Sequence, residues 1–236
     1  MNCRVILLLA IISGWGCNGA PGRPGADSAV IPPNRVVDFD VLYASNCAGC
    51  HGTNGAGGLA SRLADPLYLA IADDATIRRI TAEGVTGTAM PAFAQSAGGM
   101  LTAEQVDVIV KGIRARWSRP TSLLDVALPS YAAQKPGDAK HGAAAYAVFC
   151  ASCHGPAGRG GSQASSIVDG AYLATVSDQS LRTTVIVGRP DMGAPDWRND
   201  VPGRPMSPED ISDVVAWLSA QRPAAMIAAG GSNERK

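Results

Sequence analysis

Val106, Ile109, Val110 and Ile113 recur at helical spacing behind Thr102-Ala103-Glu104-Gln105, and Ile211, Val214, Val215 and Leu218 do so behind Ser207-Pro208-Glu209-Asp210. Apolar residues three and four apart, following a hydroxyl residue with an acid or amide three places on, predict two amphipathic helices with capping boxes. Pro208 at the first helical position strengthens the second start. Shorter polar–apolar stretches at 75–80 and 180–186 predict one more helix in each half. The expected fold class is all-α.

The two halves are copies. Tyr43 precedes Cys47 by four residues, and Tyr146 precedes Cys150 by four. His51-Gly52 and His154-Gly155 each run into a Gly-rich stretch, Gly55-Ala56-Gly57-Gly58 and Gly158-Arg159-Gly160-Gly161. Repetition at this length implies two tandem domains, 36–117 and 138–222. Residues 118–137 hold Pro120, Pro129 and Pro136 and read as a linker; 223–236 reads as a loose tail.

The first 16 residues carry Arg4, an apolar run over 5–12 and small residues after it, the pattern of an export signal. Cys17 directly after it is a candidate for acylation, with ordinary cleavage nearby as the alternative. Residues 17–35, rich in Pro and Gly, read as a flexible tether. The implied location is the periplasmic side, anchored through Cys17 if that residue is acylated. The apolar run falls short of the roughly 20 residues that span a bilayer.

Lys and Arg together number 20, as do Asp and Glu, a balance that argues against a nucleic-acid binder, which needs a basic surface to displace counterions. Aromatic residues are only 5% of a chain that is 46% hydrophobic, little bulk for two cores unless something else fills them.

The remaining four cysteines supply the chemistry. Cys47-Ala48-Gly49-Cys50-His51 and Cys150-Ala151-Ser152-Cys153-His154 are both C-x-x-C-H, the attachment sequence of c-type haem. Two thiols one helical turn apart each add to a porphyrin vinyl group, and the adjacent imidazole becomes the proximal iron ligand. A redox disulfide or a shared zinc is the competing reading, but neither requires a His after each pair. Two of the three His in the chain stand there.

These residues resemble the class I cytochrome c family in tandem diheme form, over about 36–116 and 137–222. The resemblance implies two covalently attached haem c groups, held by Cys47, Cys50, Cys150 and Cys153, with His51 and His154 on the irons. It also implies that an early helix crosses the last helix of each domain, with haem replacing a conventional core. Where those helices cross, the second repeat offers Gly142 and Trp217, and the first offers Phe39 and Gly112; bulk and gap are exchanged.

Family members complete the iron with a Met thioether. Met90, in Gly87-Thr88-Ala89-Met90-Pro91, matches that pattern. In the second repeat, alignment on Pro195 puts Ala194 at the corresponding place, whereas counting from the His favours Met192. Met192 is the expected ligand, with Met206 or an open iron as alternatives. Met206 directly precedes the Ser207 cap and also reads as a packing residue. The proximal imidazoles need a carbonyl partner, and no Gly-Pro supplies one in either copy.

The function implied is single-electron transfer between redox proteins or to a membrane-bound respiratory complex, without catalysis. The alternatives are a peroxidase-like diheme enzyme with an exchangeable second iron, or a fixed cytochrome subunit of a membrane oxidoreductase or oxidase.

Overall fold

The computed structural model describes residues 31–119, 127–199 and 201–223. The chain divides after Arg35, and both repeats lie within the unit that begins at Val36. Among the described residues the regular structure is helical, with only isolated bridges of β type. The expected export signal and Cys17 lie outside the described residues, as does most of the expected tail.

In the first repeat α1 (Phe39–Asn46) leads into a single turn, α2 (Ala48–His51). Then come α3 (Pro66–Ile71), α4 (Asp74–Glu83) and α5 (Ala103–Trp117). The second repeat reproduces this order as α6 (Ala139–Phe149), α7 (Ala151–His154), α8 (Gly170–Thr175), α9 (Asp178–Val187) and α10 (Pro208–Ser219). Both expected capping boxes form. The Thr102 hydroxyl accepts from the Gln105 N–H and the Gln105 amide returns to the Thr102 N–H; Ser207 and Asp210 do the same. The stripes behind them are buried: Val106, Ile109, Val110 and Ile113 on α5, and Ile211, Val214, Val215 and Leu218 on α10.

The early and late helices cross where the sequence predicts. A Cβ on Gly112 would overlap the Phe39 ring, and one on Gly142 would overlap the Asp213 backbone carbonyl and crowd the Trp217 Cβ. Around the first crossing, Phe39 and Tyr43 meet Trp117 edge-on at centroid distances of 5.7 and 5.0 Å. Around the second, Tyr146 stacks on Trp217 at 4.2 Å. Such pairs add about 0.5–1.5 kcal/mol beyond the area they bury.

The repeats touch. Helix α3 of the first packs on α9 of the second. The end of the expected linker is itself docked. The buried Arg182 on α9 donates through Nε to the Ser130 and Tyr131 carbonyls, and Gln179 donates to the Tyr131 carbonyl at 2.8 Å.

Candidate haem sites

The two C-x-x-C-H segments have the same backbone. Cys47 ends α1 with its N–H on the Tyr43 carbonyl, and the Cys50 and His51 N–H groups return to the Cys47 carbonyl at 3.2 and 3.0 Å. Cys153 and His154 return to Cys150 at the same two distances. The single helical turn thus holds each cysteine pair together and sets the His immediately beyond it. None of these four cysteines is joined to another in a disulfide. Burial, reinforced by the neighbouring Cys50, pushes the Cys47 thiol up to about 11. Among the described residues no three His, Cys, Asp or Glu side chains converge on one point, so the two pairs are separate sites and not one zinc centre.

After each His the chain turns back beneath the motif. Gly52 and Gly155 have φ of 75° and 77°, and a Cβ on either would strike the carbonyl of Gly57 or Gly160. The Gly57 N–H meets the His51 carbonyl at 2.9 Å, as the Gly160 N–H meets that of His154. The tyrosines four residues ahead of the motifs close the turn: Tyr43 Oη donates to the Gly52 carbonyl at 2.8 Å and Tyr146 Oη to the Gly155 carbonyl at 2.5 Å.

This returning loop supplies the imidazole partner that the sequence left unassigned. His51 Nδ1 lies 2.8 Å from the Ser61 carbonyl and His154 Nδ1 lies 2.8 Å from the Ser165 carbonyl. A carbonyl only accepts, so Nδ1 carries the proton and the Nε2 lone pair is left for a metal. Burial holds His51 below the usual imidazole range, which favours the neutral, ligating form. A backbone acceptor has no residue-type signature. The only sequence clue was that both loops return about ten residues after the His.

The residues fit haem c. Thiols stand one turn apart, a neutral imidazole is oriented beside them, and Arg62, just after Ser61, has a buried Nε with no hydrogen-bond partner in the described protein. A buried guanidinium N–H lacking a protein acceptor suits an anionic group such as a propionate.

The loops expected to carry the distal ligands superpose in hydrogen bonding. The Val85 N–H meets the Met90 carbonyl at 3.0 Å, and the Arg189 N–H meets the Ala194 carbonyl at 3.0 Å. The Thr88 N–H meets the Val85 carbonyl at 3.1 Å, and the Met192 N–H meets the Arg189 carbonyl at 2.8 Å. Ala194 therefore has the backbone position of Met90, and Met192 has that of Thr88. Met90 is half-buried, whereas Met192 is 73% exposed in the protein alone. Met206 is 3% exposed, and its N–H meets the Trp197 carbonyl just as Leu101 meets Phe93. His141 is exposed beside Asp138.

A family model described as cytochrome c oxidase, cbb3-type, subunit III matches residues 35–111 and 137–218. Among solved structures, a chain of the Kuenenia stuttgartiensis reducing HAO-like protein complex has a TM-score of 0.44 and 17% identity, over 78% of this chain and 96% of that one. No curated protein matches. The family match spans both repeats and leaves out the segment between them, as two copies of one haem-binding fold require. The chain thus belongs to the cytochrome c oxidase cbb3-type subunit III family, as a tandem pair of class I cytochrome c domains with two covalently attached haem c groups, and its chemistry is electron transfer.

Proposed function

We propose that this chain is an exported carrier that passes single electrons between respiratory redox partners, without catalysing a reaction of its own. Bound haem supplies the one-electron chemistry, its iron alternating between ferric and ferrous. The protein's part is to fix the ligands. Cys47 and Cys50, and Cys150 and Cys153, would tether the two groups, and His51 and His154 would ligate through Nε2 while Ser61 and Ser165 hold Nδ1. Met90 and Met192 would complete the two irons, the soft sulfur favouring the ferrous state and raising the potential. The observation that carries this reading is the pair of identically oriented imidazoles within one compact unit.

Near-zero formal charge argues against docking steered by a single-sign field. The family's name ties its members to a terminal oxidase, which favours a membrane-bound respiratory complex as the partner. A tether of residues 17–35, acylated at Cys17, would keep the carrier at that surface on the periplasmic side. No helix among the described residues is long and apolar enough to cross a membrane.

One observation favours a second reading. Ala194 at the backbone position of Met90 would leave the second iron exchangeable unless Met192 reaches it, and a peroxidase-like activity would follow. Optical spectra of the reduced protein with and without carbon monoxide decide between the two. Two low-spin irons that ignore the gas support the carrier; a high-spin fraction that binds it sinks that reading in favour of the enzyme.

A further inference from the structure

The two distal loops are braced by different means. In the first, Thr88 is the brace: its Oγ1 donates to the Val85 carbonyl at 2.8 Å and accepts from the Met90 N–H at 3.2 Å. The hydroxyl locks the turn from within and sets the backbone of Met90. In the second loop the thioether itself occupies the Thr88 position, so that lock is absent. Arg189 and Asp191 stand where the first repeat has Val85 and Gly87, which form no such pair.

Arg189 and Asp191 form a bidentate ion pair, Nε to Oδ1 at 3.1 Å and Nη2 to Oδ2 at 2.8 Å. Pairing with Arg189 holds the Asp191 carboxyl below its usual range. The same Nη2 lies 3.4 Å from the Gly58 carbonyl of the first repeat. The Asp191 carboxylate lies over Gly57, where a Cβ would stand 3.6 Å from Oδ2. Gly57 and Gly58 belong to the returning loop that also contains Ser61, the partner of His51. Pro190 and the left-handed Gly193, φ 82°, bound the short turn between Arg189 and Ala194.

We propose that the Arg189–Asp191 pair, anchored on the Gly58 carbonyl, is a positioning clamp that holds Met192 for the second iron and so ties the distal side of one haem site to the proximal loop of the other. This rests on the reading of Met192 as a ligand. A partly exposed ion pair contributes little to global stability, so its effect is expected at the turn it shapes. Its planar fork suits that work, since two parallel bonds fix direction as well as distance.

The test uses the full-length holoprotein and four variants: Met192→Ala, Arg189→Gln, Arg189→Lys and Asp191→Asn. The readouts are the far-red methionine-to-ferric-iron absorption band, the rate of carbon monoxide binding after reduction, and thermal unfolding. Met192→Ala should remove about half of the band and open one iron per chain to the gas. Arg189→Gln and Asp191→Asn should each raise the gas-binding rate of that iron about tenfold or more, the scale on which lost orienting partners act at metal sites. Arg189→Lys, which keeps the charge and loses the fork, should fall between them and the parent, and unfolding should hardly change. Asp191→Asn removes the pair from its other side and stands in if Arg189→Gln does not fold. Should Met192→Ala open the second iron while the clamp variants behave as the parent, the clamp is overturned and the ligand stands. Should Met192→Ala change neither band nor gas binding, the ligand assignment fails, and the clamp with it.

Discussion

The Phe39 ring fills the space in which a side chain on Gly112 would stand. In the second repeat the gap is on the early helix, at Gly142, and the bulk is Trp217 on the late one. The obstacles differ in kind. At Gly112 a new methyl meets the Phe39 side chain, which can rotate; at Gly142 it meets the Asp213 backbone carbonyl, which cannot move without bending α10.

Gly112→Ala should therefore be destabilised by only part of an overpacking cost of about 1–3 kcal/mol, offset by the roughly 1 kcal/mol that Ala gains over Gly in a helix. Gly142→Ala should destabilise distinctly more. Denaturant unfolding of both holoproteins, followed by far-ultraviolet circular dichroism, checks the order. A Gly142→Ala protein as stable as its parent would show that the helices do not cross as closely as described.

Met90→His addresses the first iron without leaving it open. An imidazole in place of a thioether removes the preference for ferrous iron, so one of the two midpoint potentials should fall while the other stays. The reduced variant should still ignore carbon monoxide. A redox titration with both potentials unmoved would take Met90 off the iron.

The attachment segments, the capped late helices and the exchanged bulk at their crossing were legible because each rests on residue types at fixed spacing. The imidazole partners were not, because Ser61 and Ser165 act through backbone carbonyls that every residue has. The distal loop of the second repeat gave two registers in the sequence, one from Pro195 and one from His154. Its backbone hydrogen bonds follow the proline, because the turn is built from Gly188 and Arg189 on one side and Ala194 and Pro195 on the other. The docking of 130–131 on Arg182 was hidden by composition: the prolines mark an irregular segment and say nothing of what its carbonyls accept.

Arg114 and Arg222 make a matched pair that no alignment of the repeats brings together. Arg114, within α5, donates to the Leu69 and Ala72 carbonyls and pairs with Asp74. Arg222, beyond the end of α10, donates to the equivalent Leu173 and Val176 carbonyls and pairs with Asp178. Both close the exit from the short middle helix, α3 or α8, and hold it against the late helix. Arg114→Gln and Arg222→Gln should each destabilise by about 1–3 kcal/mol, the cost of leaving part-buried acceptors without a charged donor. Unfolding midpoints measure this. A neutral Arg222→Gln would mean that the residue is a surface ornament and not a closure.

Asp138 gives the fold a dependence on acid. It caps α6 by accepting from the His141 and Lys140 backbone N–H groups at 3.1 and 2.7 Å, and those bonds hold its carboxyl below the usual range. Asp73 caps α4 by accepting from the Thr76 N–H at 2.7 Å, and its carboxyl is lowered too, by the Thr76 hydroxyl first and that backbone N–H second. A carboxyl lowered by folding stabilises the native state above its unfolded pKa, about 3.9, and that contribution is lost as pH falls through the folded value. Asn caps as well as Asp but takes up no proton in this range. Asp138→Asn should therefore sit close to the parent in urea midpoint near neutral pH and lose less stability as the solution is acidified below about pH 4. Parallel acid limbs for parent and variant would assign the loss to other carboxyls.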